Sequence, residues 1–107
     1  MNQPNILLVI TDQQSNRALS CADNPHLHTP HIDALAAAGV RFEQAYCAAP
    51  VCGPSRSSLV TGRLPHENGV VVNGHTPDAT IPNLGELFAR AGYQTAWSGG
   101  WHLPDSG

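Results

Sequence analysis

The stretch Asn5-Ile6-Leu7-Leu8-Val9-Ile10-Thr11-Asp12-Gln13 decides the reading of the fold. Its unbroken aliphatic run, rich in β-branched residues and bounded by polar ones, suits a strand buried on both faces of a parallel sheet. In such sheets ligands collect at the carboxyl ends of the strands, which is where Asp12 stands. Residues 13–28 are polar and read as an irregular loop containing Asn24-Pro25. Thr29 as cap and Pro30 as first residue then open a helix that presents Ile32, Leu35 and Ala36 on one face and closes at Gly39. Val40-Arg41-Phe42-Glu43 alternates like a short strand. A second helix is expected over 81–91, capped by Thr80, with Leu84, Leu87 and Phe88 inward and Gly92 as its stop. Tyr93 to Ser98 reads as a second parallel strand, giving a βαβ order with a right-handed crossover and an α/β class.

Chemistry concentrates in Cys52-Gly53-Pro54-Ser55-Arg56, which continues Ser57-Ser58-Leu59-Val60-Thr61-Gly62-Arg63. Pro54 near the first turn, the apolar pair Leu59-Val60 and Gly62 as a left-handed stop predict a helix with the cysteine at its mouth. Backbone N–H groups at a helix start, with Arg56 one turn on, favour a tetrahedral anion or a thiolate. On that physics alone, a buried cysteine in an ordinary strand-to-helix turn is the better reading.

The chain of 107 residues has five arginines, no lysine and a net charge of −3. With no basic run, nothing points to nucleic acid or to an anionic membrane surface. Cys21, Cys47 and Cys52 make neither an even disulfide framework nor a C-x-x-C zinc pair. Cys47 and Cys52 could pair as a redox couple, and His26, His28 and His31 read as loop and helix-start histidines. Residues 1–4 lack a basic cluster and the run 6–10 is too short for a signal core or a span, so the expectation is a cytoplasmic protein, or an exported one if a segment precedes it.

Asp12 and Gln13 offer two oxygen donors, which suit a hard divalent cation rather than zinc or copper, although an Asp at a strand end is more often a cap or turn former. Residues 64–78 read as a loop that could line a pocket. Its Arg63, His66, Asn73 and His75 neighbourhood is of turn-forming type, with His66 and Asn73 as weak candidates for the substrate side.

Taken in order, these runs resemble the sulfatases. The 5–13 stretch resembles their first strand, and Thr29-Pro30-His31-Ile32-Asp33-Ala34-Leu35 their first helix. Ala45-Tyr46-Cys47-Ala48-Ala49-Pro50-Val51 resembles the approach to a C-x-P-S-R signature. Ala91-Gly92-Tyr93-Gln94-Thr95-Ala96 and Trp101-His102-Leu103 resemble the second strand and its catalytic end.

The resemblance implies an α/β fold, the amino-terminal part of an alkaline-phosphatase-like sandwich whose mostly parallel sheet is flanked by helices. Residues 1–107 would form an incomplete part of one catalytic domain, inactive when isolated. It implies that Cys52 is oxidised by a formylglycine-generating enzyme to formylglycine, whose hydrate attacks sulfur in an organic or carbohydrate sulfate ester. It also implies that Cys47 is a buried thiol rather than a redox partner. Arg56 would hold the anion and His102 would serve as acid or base, a task that suits imidazole. Asp12, Gln13 and the modified Cys52 would bind a divalent metal, calcium first, magnesium or manganese second. Two departures stand out. Relatives often carry Asp-Asp where this chain has Asp12-Gln13, and Gly-Lys-Trp-His-Leu-Gly where it has Gly99-Gly100-Trp101-His102-Leu103-Pro104, so Gly100 replaces a sulfate-contacting lysine. The competing expectations are a phosphonate monoester or phosphodiester hydrolase of the same superfamily, and a catalytically incomplete fragment.

Overall fold

A computed structural model describes residues 3–104. It divides into two compact units, Met1–Gln44 and Ala45–Gly107. The elements run from a single 3-10 turn, Ser20–Ala22, through helices α1 (Pro30–Ala38), α2 (Cys52–Thr61), α3 (Pro65–Asn68) and α4 (Leu84–Arg90). No strand is present among the described residues.

In the first unit, α1 begins at Pro30 after Thr29 and ends against Gly39, as the sequence predicts. The hydroxyl of Thr29, however, does not cap the helix. It donates to Asp33 Oδ1 at 2.9 Å, and Ser20 Oγ donates to Asp33 Oδ2 at 2.6 Å. The Cys21 N–H completes the cradle at 3.0 Å. This carboxylate ties the 3-10 turn to α1, and its donors, Ser20 foremost, hold its pKa below the usual carboxylate range. Desolvation, reinforced by Asp33, pushes the Cys21 thiol upward.

The strand expected over 6–10 does not form. A buried parallel strand needs neighbours that take its N–H and C=O groups and layers that cover its side chains. Here Leu7 is 88% and Val9 74% exposed, so nothing rewards ordering the run. Residues 40–43 and 93–98 also lack strand structure. In the former, Arg41 and Glu43 instead pair across 3.0 Å at the surface.

The second unit is built around α2. Gly53, Pro54, Ser57 and Val60 form its buried face, while Leu59 is exposed, so only half of the expected apolar pair is core. Gly62 ends the helix at φ +66°. The sequence reading missed α3, which Pro65 starts and Glu67 secures by accepting the Leu64 N–H at 2.8 Å. Asn68 behind it is fully buried and satisfied. Its Nδ2 donates to Thr61 Oγ1 and the Arg63 carbonyl, and its Oδ1 accepts the Val70 N–H. Val70, Val60 and Leu103 make the small apolar core, with Trp101 packed on it.

α4 starts at Leu84, three residues later than expected. Asn83 Oδ1 accepts the Glu86 N–H at 3.0 Å and a Glu86 carboxylate oxygen accepts the Asn83 N–H at 3.3 Å, a reciprocal capping box. Thr80, the expected cap, donates both its N–H and its hydroxyl to Asp78 Oδ1. Gly92 follows the helix at φ +88°, as its role as stop requires. No described helix is long and apolar enough to cross a membrane.

Candidate active site

Cys52 is the first residue of α2, and Val51 before it is extended, so the chain turns sharply into the helix at the cysteine. Its side chain is exposed. His102 Nε2 lies 3.2 Å from Cys52 Sγ, although 50 residues separate them. The imidazole arrives there because its neighbours are fixed: Leu103 is buried in the core and Trp101 packs on it, with its ring edge-on to Trp97 at 4.8 Å. His102 itself has φ +59°. Left-handed backbone is uncommon for a residue with a Cβ, less so for histidine, and such conformations cluster at functional sites.

Arg56 follows Cys52 by one helical turn, so both side chains belong to one face of α2. Its Nη1 donates to the Gly100 carbonyl at 2.9 Å. The guanidinium is thereby held by the backbone of Gly100, the position at which the resemblance implies a lysine. An ideal Cβ on Gly100 would meet nothing within 4 Å, so the space for a longer side chain is open.

Of the two loop candidates, Asn73 joins this cluster and His66 does not. Asn73 Oδ1 accepts the Gly53 N–H at 2.8 Å, and its Nδ2 lies 3.3 Å from Cys52 Sγ. His66 is exposed on α3 and makes no hydrogen bond among the described residues. Cys47, expected to be buried, is exposed, and all three cysteines are free thiols. A separate cleft of about 290 Å3 is lined by Thr61, Asp78, Asn83, Glu86, Trp101 and Pro104 among others. It holds none of the candidate residues, and its carboxylates are unsuited to an anion.

Asp12 and Gln13 lie in the other unit, Gln13 at φ +54°. Among the described residues, no group of three or more His, Cys, Asp or Glu side chains could hold a metal ion. Two oxygens fall short of the roughly six to eight that a hard cation such as calcium takes. The described residues therefore do not complete the divalent-cation site that the resemblance implies.

The sulfatase family model matches residues 4–104. An uncharacterized sulfatase of Escherichia coli (strain K12), YidJ, is 42% identical over 96% of this chain and 21% of its own length. An N-acetylglucosamine-6-O-sulfatase of Bacteroides thetaiotaomicron is 39% identical over 94% of the chain and 18% of its own length. The human N-acetylgalactosamine-6-sulfatase is 39% identical over 94% of the chain and 22% of its own. No solved structure gives a significant match. The chain thus spans about a fifth of the length of these curated relatives. With a match that runs through the cysteine helix and the histidine together, the chain belongs to the sulfatase family.

Proposed function

We propose that the whole protein hydrolyses an organic sulfate monoester, with residue 52 carrying the nucleophile. The observation that supports this best is the 3.2 Å approach of His102 Nε2 to Cys52 Sγ at the start of a helix. Once oxidised to formylglycine, residue 52 would supply a hydrated aldehyde as the attacking group, as sulfatases in general use. The work of the other residues follows from their chemistry. His102 can take a proton from the group at position 52 and return it, because an imidazole exchanges protons near neutral pH. Arg56 carries a guanidinium and stands at a helix end whose N–H groups also favour an anion, so the two together would hold the sulfate. One hydroxyl of the hydrate would bond to sulfur and give up its proton as the sulfur–ester oxygen bond breaks and the alcohol leaves with a proton. The second hydroxyl, losing its proton to His102, would then reform the aldehyde and expel sulfate as a dianion beside Arg56. The metal expected from the family is not complete among the described residues, and no step here runs through it.

The test is to express the whole protein beside a formylglycine-generating enzyme and to examine the peptide containing Cys52 by mass spectrometry. An aldehyde in place of the thiol is expected, with turnover of an aryl sulfate or a 6-sulfated hexosamine. His102→Ala should lower kcat by roughly 10²- to 10⁴-fold. An intact thiol under those conditions would remove the nucleophile assignment. The open space at Gly100, where the resemblance implies a sulfate-contacting lysine, keeps one alternative in view, a phosphonate monoester or phosphodiester hydrolase. Phenyl phosphonate assayed in parallel separates the two, and Gly100→Lys should favour the sulfate ester if the first reading holds.

A further inference from the structure

We propose that Asn73 is a positioning residue for the nucleophile: one amide oxygen caps α2 and the amide nitrogen orients the group at position 52 toward His102. The inference rests on the reading of residue 52 as the nucleophile and adds a member to that site. The loop Gly69 to Gly74 brings Asn73 back to a helix that begins 21 positions earlier.

The hydrogen bonds fix which way the amide faces. The Gly53 N–H, 2.8 Å away, can only donate, so the atom it meets must be Oδ1. Nδ2 is then the atom beside Cys52 Sγ at 3.3 Å, and there it can only donate. A thiol or hydroxyl at position 52 that accepts from Asn73 has its own hydrogen left to point elsewhere. Two acceptors are within its reach, His102 Nε2 at 3.2 Å and, farther off, Asn73 Oδ1 at 3.5 Å, which the Gly53 N–H already engages. A donor on one side and the nearer acceptor on the other bias the reacting group toward His102, and preorganisation of this kind acts on the rate of the chemical step.

Gly53 makes the arrangement possible. An ideal Cβ at that position would lie 2.7 Å from Asn73 Oδ1, so any side chain would push the amide off the helix start. α2 has no side-chain cap from its own N-cap residue, Val51, and the Gly53 N–H would otherwise lack this acceptor. The amide therefore does two jobs with two atoms, and the jobs can be separated by substitution.

Asn73→Asp keeps an acceptor for Gly53 and removes the donor to residue 52, whereas Asn73→Ala removes both. In the whole, modified protein both variants should lose about tenfold or more in kcat on an aryl sulfate, with formylglycine occupancy matched to the parent by mass spectrometry. Only the alanine variant should melt earlier and exchange its Gly53 amide faster. If Asn73→Asp keeps the parental kcat, or if the whole loss falls on KM, Asn73 does not orient the nucleophile and the proposal is overturned. A second readout does not need turnover. In the unmodified protein, iodoacetamide should alkylate Cys52 several-fold more slowly in Asn73→Asp at fixed pH, since a thiolate would lose a donor and face a carboxylate. An unchanged alkylation rate with an unchanged Gly53 exchange rate in the alanine variant overturns the proposal even if the parent proves inactive on every sulfate ester.

Discussion

Ser57 lies on the buried face of α2 with no exposed surface, and its hydroxyl has no hydrogen-bond partner. A buried, unmade hydrogen bond costs about 1–3 kcal/mol. Ser57→Ala should therefore leave the melting temperature unchanged or raise it, by an amount worth up to about 1 kcal/mol. A loss of more than about 1 kcal/mol would show that the hydroxyl is satisfied after all. At this scale the sequence was informative where residue type and spacing resemble a family pattern. Cys52, Arg56 and His102 became candidates because a cysteine at a helix start, an arginine one turn on and a histidine in a recognisable run resemble a known pattern, and the structure brings Cys52 and His102 within 3.2 Å. The partners of Asn73 were not legible, since they depend on the path of the loop that returns it to Gly53. The same is true of Asn68, whose buried amide organises the turn after α3 and looks in sequence like any loop asparagine.

At the scale of elements, punctuation was more reliable than periodicity. Thr29-Pro30 with Gly39 and Pro54 with Gly62 delimit α1 and α2 because these residues restrict or permit backbone angles locally. The strands failed because strand formation depends on what lies alongside, and residues 6–10 have no ladder partner among the described residues. α4 was misplaced by three residues because two capping residues competed, and the Asn83–Glu86 reciprocal pair outcompeted a lone Thr80 that Asp78 had already engaged. The junction of the 3-10 turn with α1 depends on an ionised Asp33. Its pKa is depressed in the folded state, so its contribution is present above the ordinary carboxylate value of about 3.9 and is lost as pH falls through the lower folded value. Melting of the whole protein below about pH 4 should steepen accordingly, and Asp33→Asn should flatten that acid limb while lowering stability at neutral pH. An acid limb unchanged by the substitution would show that Ser20, Thr29 and Cys21 do not act through this carboxylate.

Membership in the sulfatase family implies an alkaline-phosphatase-like α/β fold for the whole molecule. The side chains of residues 6–10 are those of such a sheet, and their exposure marks where a packed neighbour would gain the most. Within the unit Ala45–Gly107, Cys52 and His102 meet across a 50-residue excursion of the chain. Closing a loop of that length costs roughly 3.5 kcal/mol beyond a constant. The described apolar core that answers it is Val60, Val70 and Leu103, each worth about 1.5–3 kcal/mol when fully buried. The histidine is thus carried on a latch whose bolt is one leucine, and a latch can open while the house still stands. Leu103→Ala should uncouple heat inactivation from unfolding: turnover would fade on warming several degrees before the circular dichroism melt, with full recovery on cooling. Coincident curves would show instead that nucleophile and base separate only when the whole structure does.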